Sequence, residues 1–344
     1  SAMCVRAGFI TSVSLLFLPH RATPVGEAAT VRAPRRAPLV VLAALCLTGC
    51  PSDDDVPLDA DPTVDAGRDA PVVGPVRFTV ATWNVQNFFD TRNDPERADD
   101  VLSSAQYAQK IEDVSNVLLA MDADLVALQE VENLGVLQDL ASGPATSLGY
   151  TEMALMDSFD GRGIDVGFLA RVPISNVASH LGEQFPSPDG SEEYFFARDA
   201  LEVFAEPGGI PITVMIVHFL SMSAPGNGDD RRLAEAMQCR RIAERRLESG
   251  VDRMLIVGDF NDLPDSDPLD ALLGDASAFT DLTRFVPSAD RYTFVFDRRE
   301  QQIDYMLGTG NVEAELLEAR ILHGAEIEAA SDHAPIVMTF DLGR

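Results

Sequence analysis

Short runs of β-branched and apolar residues recur from residue 76 onward, and they constrain the fold more than any other feature of the chain. Each run has the length of a buried strand and is too short for a buried helix. The runs predicted to be strands are Val76–Thr82, Leu125–Gln129, Val166–Ala170, Leu201–Phe204, Ile212–Phe219, Met254–Gly258, Ile303–Leu307 and Ile336–Phe340.

Helical periodicity separates some of these runs. One helix is predicted over Gln106–Met121, with apolar residues at the spacing of a single face, and an arginine-rich helix over Arg231–Leu247. Because helices do not alternate strictly with strands, a doubly wound parallel sheet is not favoured. We predict an α/β fold in which two packed mixed β-sheets are flanked by outer helices. No internal repeat or linker divides residues 76–344, so they are predicted to form one domain.

Side chains that can bind metal or move protons stand where the predicted strands begin or end. They are Asn84, Glu130, His218, Asp259 with Asn261, Asp304, and Asp332 with His333. An Asn or Asp after a strand is usually a turn residue. A series of such positions is harder to explain as turns, since strand ends are where a rigid scaffold presents side chains for chemistry. The pattern indicates a functional site built from strand ends.

Five segments carry a more specific signal. They read Ala81-Thr82-Trp83-Asn84, Leu128-Gln129-Glu130-Val131-Glu132-Asn133, Gly258-Asp259-Phe260-Asn261, Ile303-Asp304-Tyr305 and Ser331-Asp332-His333. In this order they resemble the motifs of the endonuclease/exonuclease/phosphatase superfamily. That group includes pancreatic-type deoxyribonucleases, abasic-site endonucleases, inositol polyphosphate 5-phosphatases and bacterial sphingomyelinases. The resemblance covers most of residues 76–344 and implies a four-layered sandwich with the site at one end of the paired sheets.

Three residues are implied by the resemblance to hold a divalent cation. Glu130 offers a hard anionic oxygen, which suits Mg²⁺ because that ion usually takes one or two protein carboxylates and keeps several waters. Asn84 adjoins it, and Asp332 neighbours the metal in some members of the superfamily. Mn²⁺ or Ca²⁺ is possible with the same donors. The chain departs from many bacterial relatives at Gln86, where they carry Glu, and this weakens the case for a second metal.

Five further residues are implied to act on the phosphate and on the attacking water. Asp259 would orient or deprotonate the water, and Asn261 would donate a hydrogen bond to the scissile phosphate. His333 would hold or protonate a phosphate oxygen, kept cationic by the carboxylate of Asp304. His218 matches a second histidine that many deoxyribonuclease-type members use as a phosphate ligand or acid, although a hydrogen-bonded core histidine is the alternative.

Two arginines are candidates for binding the substrate. Arg162 lies in a segment, Asp160–Leu169, that resembles a signature of secreted bacterial members, and Arg198 precedes the predicted strand Leu201–Phe204. A guanidinium in a loop can bind a phosphate through two parallel hydrogen bonds. A solvated surface arginine is the alternative for each.

The first 75 residues differ in composition from the rest. Residues 1–50 are predicted to be a leader, because a positively charged stretch precedes an apolar run too short to span a bilayer. The ending Leu47–Cys50 resembles a bacterial lipobox. We therefore expect cleavage before Cys50, lipidation of that cysteine and an extracytoplasmic, membrane-anchored protein; an ordinary signal peptide is the alternative. Residues 51–75, rich in Asp and Pro, are predicted to be a disordered tether.

The net charge of −29, from 26 basic and 55 acidic residues, limits the partners of the chain. Such a body repels long polyanions unless cations or a local arginine cluster intervene, which argues against a protein that coats duplexes. It does not exclude an enzyme that reaches a phosphodiester through a bound metal. The arginine-rich helix could face a nucleic acid, but its interspersed Glu residues favour a solvated face.

Three functions are compatible with these features. The first is Mg²⁺-dependent hydrolysis of phosphodiester bonds, by an extracytoplasmic, endonuclease-like enzyme acting on nucleic acid. The second is a phospholipid or inositol-phosphate phosphoesterase similar to sphingomyelinase. An apolar, aromatic-rich insertion near the site would favour it, and none stands out in the sequence. The third is a catalytically inactive surface binding module, which would require a lost catalytic residue, yet every motif position is filled. No protein partner is implied.

Overall fold

The computed structural model describes residues 74–274 and 278–344. The predicted leader with Cys50, and all of the predicted tether except its last two residues, lie outside the described residues. Gly74 and Pro75 are exposed and have no regular secondary structure. Within the described ranges, none of the helices combines the length and the apolar character needed to cross a bilayer.

Sixteen strands and six α-helices lie within the described part of the chain. The strands are β1 (Val76–Phe88), β2 (Leu125–Val131), β3 (Glu152–Met156), β4 (Asp165–Ala170), β5 (Ile174–Ala178), β6 (Gln184–Pro186), β7 (Glu193–Phe195), β8 (Leu201–Ala205), β9 (Ile212–His218), β10 (Met254–Asp259), β11 (Thr280–Asp281), β12 (Phe294–Phe296), β13 (Arg299–Gln301), β14 (Asp304–Gly308), β15 (Leu316–Ile321) and β16 (Ile336–Leu342). The helices are α1 (Ser104–Met121), α2 (Leu134–Ser142), α3 (Gly228–Glu248), α4 (Asp267–Leu273), α5 (Gly310–Glu315) and α6 (Ala325–Ala330).

Twelve of these strands form two six-stranded sheets. The first sheet has the order β15-β16-β1-β2-β4-β3, and the second has the order β11-β14-β10-β9-β8-β5. In the first, β1 runs parallel to β2 and antiparallel to β16. In the second, β10 runs parallel to β9 and antiparallel to β14. The prediction of two mixed sheets is confirmed.

The two sheets pack face to face around one apolar core. Phe78 and Val80 of the first sheet belong to the same buried cluster as Val214 and Val257 of the second. Helices α1 and α2 cover the outer face of the first sheet, while α3 and α4 pack on the outer face of the second around Cys239. Each fully buried side chain of this size contributes roughly 1.5–3 kcal/mol. The result is the predicted four-layered order of helix, sheet, sheet and helix.

Helix α1 begins at a capping box and buries the face that its sequence predicts. The hydroxyl of Ser103 accepts a hydrogen bond from the backbone N–H of Gln106, and the Gln106 side chain accepts one from the backbone of Ser103. Such a cap stabilises a helix by about 1 kcal/mol. The buried positions of the helix are Ile111, Val114, Ser115, Val117, Leu118 and Met121. Through this face the helix packs onto the first sheet.

The arginines of α3 do not form one solvated face. Arg232 is buried and bonds to Asp229 and Asp262, each at 2.7 Å. Arg246 lies 2.6 Å from the buried carboxylate of Glu202. The favoured interpretation of this helix as a solvated arginine face is therefore wrong at these two positions, because the sequence pattern does not reveal acidic partners on other elements.

Candidate active site

The register of the second sheet brings three predicted site residues side by side. Asp259, the last residue of β10, lies opposite His218 on β9 and opposite Asp304 on β14. Gly258, just before it, has φ +140°, and a Cβ there would lie 1.9 Å from the carbonyl oxygen of Val217. Only glycine fits this close approach of two strands, which sets the backbone immediately before Asp259.

Two bulges in the first sheet aim the predicted metal ligands. The pairing of β1 with β2 shifts after Asn84, where Gln86 and Asn87 have φ values of 52° and 47°. The pairing of β2 with β4 shifts at Glu130, whose φ is 63°. The N–H of Gln86 donates to Oδ1 of Asn84 at 2.9 Å, and the N–H of Asn87 donates to Oε2 of Glu130 at 2.8 Å. Bulges of this kind re-aim side chains next to active sites.

The first sheet meets the second at Asp259. The side-chain amide of Asn84 donates to Oδ2 of Asp259 at 3.0 Å, and the backbone N–H of Asn261 donates to its Oδ1 at 2.8 Å. Nε2 of His218 lies 3.5 Å from Oδ2 of Asp259 and 3.9 Å from Oε1 of Glu130. The candidate metal ligands and the candidate base therefore share one hydrogen-bonded neighbourhood.

His333 reaches the same point from the segment before β16. Its Nδ1 lies 2.9 Å from Oδ2 of Asp304, and its Nε2 lies 3.9 Å from Oδ2 of Asp259 and 3.9 Å from Oδ1 of Asp332. Its backbone carbonyl accepts a hydrogen bond from the indole of Trp83 at 2.8 Å. One ring nitrogen is thus engaged by a carboxylate, while the other points into the site.

The charges of this cluster follow from burial and proximity. Burial alone lowers the pKa of His333, but the carboxylates of Asp304 and Asp259 raise it to about 10. Burial and the negative charge of Asp304 raise the pKa of Asp259 to about 7. Burial, together with the positive charge of Arg198, holds the pKa of His218 well below its usual range. At neutral pH the site thus contains a cationic His333, a neutral His218 and an Asp259 poised to gain or lose a proton.

Eight of the ten predicted site residues line one cleft of about 750 Å³. They are Glu130, Arg162, Arg198, His218, Asp259, Asn261, Asp332 and His333. The other two, Asn84 and Asp304, are buried and hydrogen-bond to Asp259 and His333 respectively. All ten residues are therefore brought together, although they come from eight separate segments of the sequence.

Comparison with known proteins agrees with this architecture. A family model described as the endonuclease/exonuclease/phosphatase family matches residues 79–284, more than half of the chain. The chain belongs to this family. A search of curated proteins finds no match.

Solved structures of the family share the fold of this member. The catalytic domain of human Nocturnin with a bound sulfate anion aligns with a TM-score of 0.56 and 16% identity, covering 78% of this chain and 93% of that one. A family protein from Bacteroides thetaiotaomicron aligns with a TM-score of 0.55 and 18% identity, and the alignment covers 78% of this chain and 99% of that one. Truncated TDP2 from Caenorhabditis elegans aligns with a TM-score of 0.53 and 15% identity, and the alignment covers 77% of this chain and 98% of that one. At these identities the likeness shows the fold alone.

The family's need for a divalent metal can be tested against the donors of this chain. Ligand atoms of Asp259, Asp304 and His333 lie within 4.8 Å of one another. The carboxylates of Asp304 and Asp259 raise the pKa of His333 and so favour the imidazolium, which has no free lone pair for a metal. Glu130 and Asp332 line the same cleft. Burial raises the pKa of Asp332, and the nearby Glu130 adds to the rise. The carboxylate oxygens of Glu130 and Asp332 and the amide oxygen of Asn84 are hard donors, of the type that a divalent cation such as Mg²⁺ prefers.

The two candidate arginines differ in their surroundings. Arg198 is buried, with Nη2 2.7 Å from Oδ2 of Asp160 and Nη1 donating to the carbonyl of Phe219 at 3.1 Å. Arg162 is about half exposed and lies 3.6 Å from the same aspartate, with a weak contact to the side chain of Asn87. The alternative of a solvated surface arginine is therefore wrong for Arg198. Only Arg162 keeps most of its guanidinium open to a ligand.

Residues at the cleft that sequence reasoning missed are largely apolar. Phe294 of β12 lies with its ring centroid 4.9 Å from that of His333, and Phe296 lines the cleft while 63% exposed. Met222 lines the cleft from the loop after β9. No apolar, aromatic-rich insertion stands out in the sequence, but the fold brings these side chains to the cleft. The apolar segment Phe294-Val295-Phe296 could have indicated this wall of the cleft. A three-residue strand is, however, too short to be recognised from sequence periodicity.

Proposed function

We propose that this protein hydrolyses phosphodiester bonds with the help of Mg²⁺, acting on nucleic acid outside the cytoplasm. The observation that carries the proposal is the convergence of Glu130, Asp259 and His333, from three segments, on one cleft. Family membership supports hydrolysis of a phosphoester as the reaction class. The lipobox-like sequence before Cys50 supports an anchored, extracytoplasmic location.

Asp259 is the proposed acceptor of the proton of the attacking water. A general base works best when its pKa lies near the working pH, and burial beside Asp304 brings the pKa of Asp259 to about 7. The amide of Asn84 and the backbone of Asn261 hold the two oxygens of this carboxylate in place. The carboxylate is therefore oriented before any substrate binds, which reduces reorganisation during reaction.

The cationic His333 is the proposed partner of the phosphate. A preorganised positive group that faces the developing charge of a phosphoryl transition state stabilises it more in a dry cleft than in water. Asp304 keeps the ring charged and oriented through its hydrogen bond to Nδ1. Asn261 and the neutral His218 supply further polar groups at the same position.

Glu130, Asn84 and Asp332 are the proposed ligands of the metal. Bound there, Mg²⁺ would supply Lewis-acid stabilisation of charge on the phosphate oxygens. Their oxygen donors match its preference, and Mn²⁺ or Ca²⁺ could use the same set. A cation at this position would also offset the negative field of the chain for a polyanionic substrate.

Nucleic acid is the first substrate class that we propose. Arg162 and His333 line the cleft, and the catalytic domain of human Nocturnin, which shares the fold, holds a sulfate anion, a tetrahedral relative of phosphate. The test is to incubate the protein with plasmid DNA, RNA, sphingomyelin and a generic diester, with Mg²⁺ and with a chelator. We expect cleavage of nucleic acid that the chelator abolishes and that Asp259→Asn reduces by about 10² or more. Asp252→Asn, the same change at an exposed carboxylate outside the cleft, is the matched control.

A second candidate, a phospholipid phosphoesterase, is favoured by the apolar wall of the cleft. Phe294 packs beside His333, and Phe296 and Met222 line the same cleft, where a lipid chain or a planar group could pack. The two candidates separate in the same assay. Cleavage of sphingomyelin alone would show that the protein is a phospholipid phosphoesterase and not a nuclease. Inactivity on every ester would leave the third interpretation, a catalytically inactive binding module.

A further inference from the structure

The chain contains one lysine, Lys110, while every other basic residue among its 26 lysines and arginines is an arginine. It lies on α1 next to the buried Ile111 and is itself half-buried. Its ammonium also lies 5.7 Å from the centre of the Phe88 ring. The only compact cation of the chain is thus directed inward, toward the end of β1.

Lys110 joins two segments that are far apart in sequence. Its Nζ donates to the carbonyl of Gln86 at 3.1 Å and to the carbonyl of Ala330 at 2.6 Å. Gln86 is the first residue of the bulge that follows Asn84. Ala330 is the last residue of α6, and the next three residues are Ser331, Asp332 and His333.

The bulge bridged by Lys110 orients two candidate cation ligands. Its consecutive N–H groups, from Gln86 and Asn87, donate to oxygens of Asn84 and Glu130. Lys110 holds the carbonyl side of the same bulge, so the direction of those N–H groups depends on it. Both residues of the bulge have positive φ, which costs free energy for any residue other than glycine and persists only where neighbours hold it.

Two other hydrogen bonds run between the same segments. The indole of Trp83 donates to the carbonyl of His333, and the hydroxyl of Ser331 donates to the carbonyl of Asn84 at 2.7 Å. Lys110 supplies the third link between these two segments, through its hydrogen bonds to Gln86 and Ala330. Together these links set where Asp332 stands relative to Asn84 and Glu130.

We propose that Lys110 is a positioning residue for the cation site, holding the bulge of β1 and the end of α6 so that Glu130, Asn84 and Asp332 face one point. This inference rests on the proposed function. Outer groups that orient ligands commonly change metal affinity by about 10- to 100-fold when they are removed.

The charge of Lys110 and its geometry predict opposite effects on cation binding. An ammonium near Glu130 and Asp332 repels an incoming cation, so by charge alone its removal would tighten binding. Burial lowers the pKa of Lys110 to about 8, against the influence of Asp332 and Glu130, so most of it is protonated at neutral pH. If positioning dominates, removal weakens binding in spite of the lost repulsion. The sign of the change therefore decides between the two.

The test is calorimetric titration of Mn²⁺ into the full chain, into Lys110→Met and into Lys110→Arg. Met keeps the length of the stem without the donors, and Arg keeps the charge but presents a planar fork in place of a compact ammonium. The control is Arg77→Met, which removes one positive charge at the opposite end of β1. We expect both Lys110 variants to bind Mn²⁺ at least about 10-fold more weakly, and the control to bind as the wild type does.

Kinetics and melting separate positioning from a loss of fold. At saturating Mn²⁺ we expect turnover of the Lys110 variants to recover most of its wild-type value, with the defect confined to the metal concentration required. If Lys110→Met melts far below the wild type in chelator, Lys110→Arg carries the test. Mn²⁺ binding by Lys110→Met that equals or exceeds that of the wild type, or Mn²⁺ affinity of Lys110→Arg equal to the wild-type value, overturns the inference. A wild type that binds no Mn²⁺ instead overturns the proposed function on which it rests.

Discussion

Two buried histidines of this chain each lie between two carboxylates, yet their surroundings differ in one decisive respect. His180, which follows β5, has Nδ1 2.6 Å from Oε1 of Glu183 and Nε2 2.8 Å from Oε2 of Glu202. His333 has only Nδ1 within hydrogen-bond distance of a carboxylate, that of Asp304. Its Nε2 faces the cleft at 3.9 Å from the nearest carboxylate oxygens.

The difference separates a structural imidazole from the one that we propose to act on the phosphate. A ring whose two nitrogens are both engaged cannot receive a substrate without breaking a buried charged contact, which is costly. Glu202 also pairs with Arg246, so neither ring nitrogen of His180 nor the carboxylate of Glu202 is left free to bind a ligand. Burial and carboxylate neighbours are therefore not enough to mark an active site. An unengaged donor directed into a cleft is the distinguishing feature.

The largest expected effect is the loss of turnover in His333→Ala. Removing a positioned cationic group that acts on the transition state lowers turnover by about 10² or more. His180→Ala should leave turnover of the folded enzyme within a few-fold of the wild type. Steady-state kinetics of both variants on the substrate identified above checks the comparison. Similar losses in the two variants would mean that His333 has no special role.

The next effect is on the stability of the fold, and it concerns His180. His180→Ala leaves Glu202 and Glu183 without their shared cation and should cost roughly 3–5 kcal/mol, as expected for breaking a buried charged pair. Denaturant unfolding measures the change.

The pH dependence of this loss has a definite sign. Although burial opposes it, the two carboxylates raise the pKa of His180, and His180 together with Arg246 lowers the pKa of Glu202. The contribution of His180 is fully present below the unfolded histidine pKa of about 6.5 and declines as pH rises through its raised folded pKa. The wild type and His180→Ala should therefore differ more near pH 6 than at alkaline pH. A difference that grows with pH would contradict the assignment.

The pH profile of activity tests the proposed protonation states of Asp259 and His333, and the expected change is smaller than the two above. Asp259 must lose its proton to act as a base, so kcat/KM should fall as pH drops below about 7. His333 must keep its proton, so the alkaline limb should lie near 10. Because Asp304 raises both pKa values, Asp304→Asn should move both limbs to lower pH. Limbs that stay in place in this variant would exclude Asp304 as the cause.

The smallest expected effect is that of Arg162→Lys. Its guanidinium is about half exposed and only loosely held by Asp160, so it can offer two parallel hydrogen bonds to a phosphate. A lysine keeps the charge but not this geometry, and KM should rise by about 3- to 10-fold with kcat little changed. Arg284→Lys, an exposed arginine paired with Glu313, is the control. An unchanged KM would leave Arg162 as a surface residue.

Sequence reasoning predicted the interior of both sheets and missed their edges. The eight predicted strands correspond to β16, β1, β2 and β4 in the first sheet and to β14, β10, β9 and β8 in the second. The missed members, β15, β3, β11 and β5, are the four edge strands. An interior strand covered on both faces needs a continuous apolar run, whereas an edge strand is half exposed and has no such run.

The sequence by itself determined which residue types stand at the strand ends and in what order. With the family resemblance, this was enough to predict the fold, eight residues that line the cleft and two buried residues that bond to them. Only the tertiary structure decided which of them touch. The bond between Asp304 and His333, the free nitrogen of that ring, the reach of Lys110 to Gln86 and Ala330, and the aromatic wall depend on contacts between distant segments. A local pattern reports what a residue can do, because side-chain chemistry and strand burial are local. Its partner depends on how the two sheets pack.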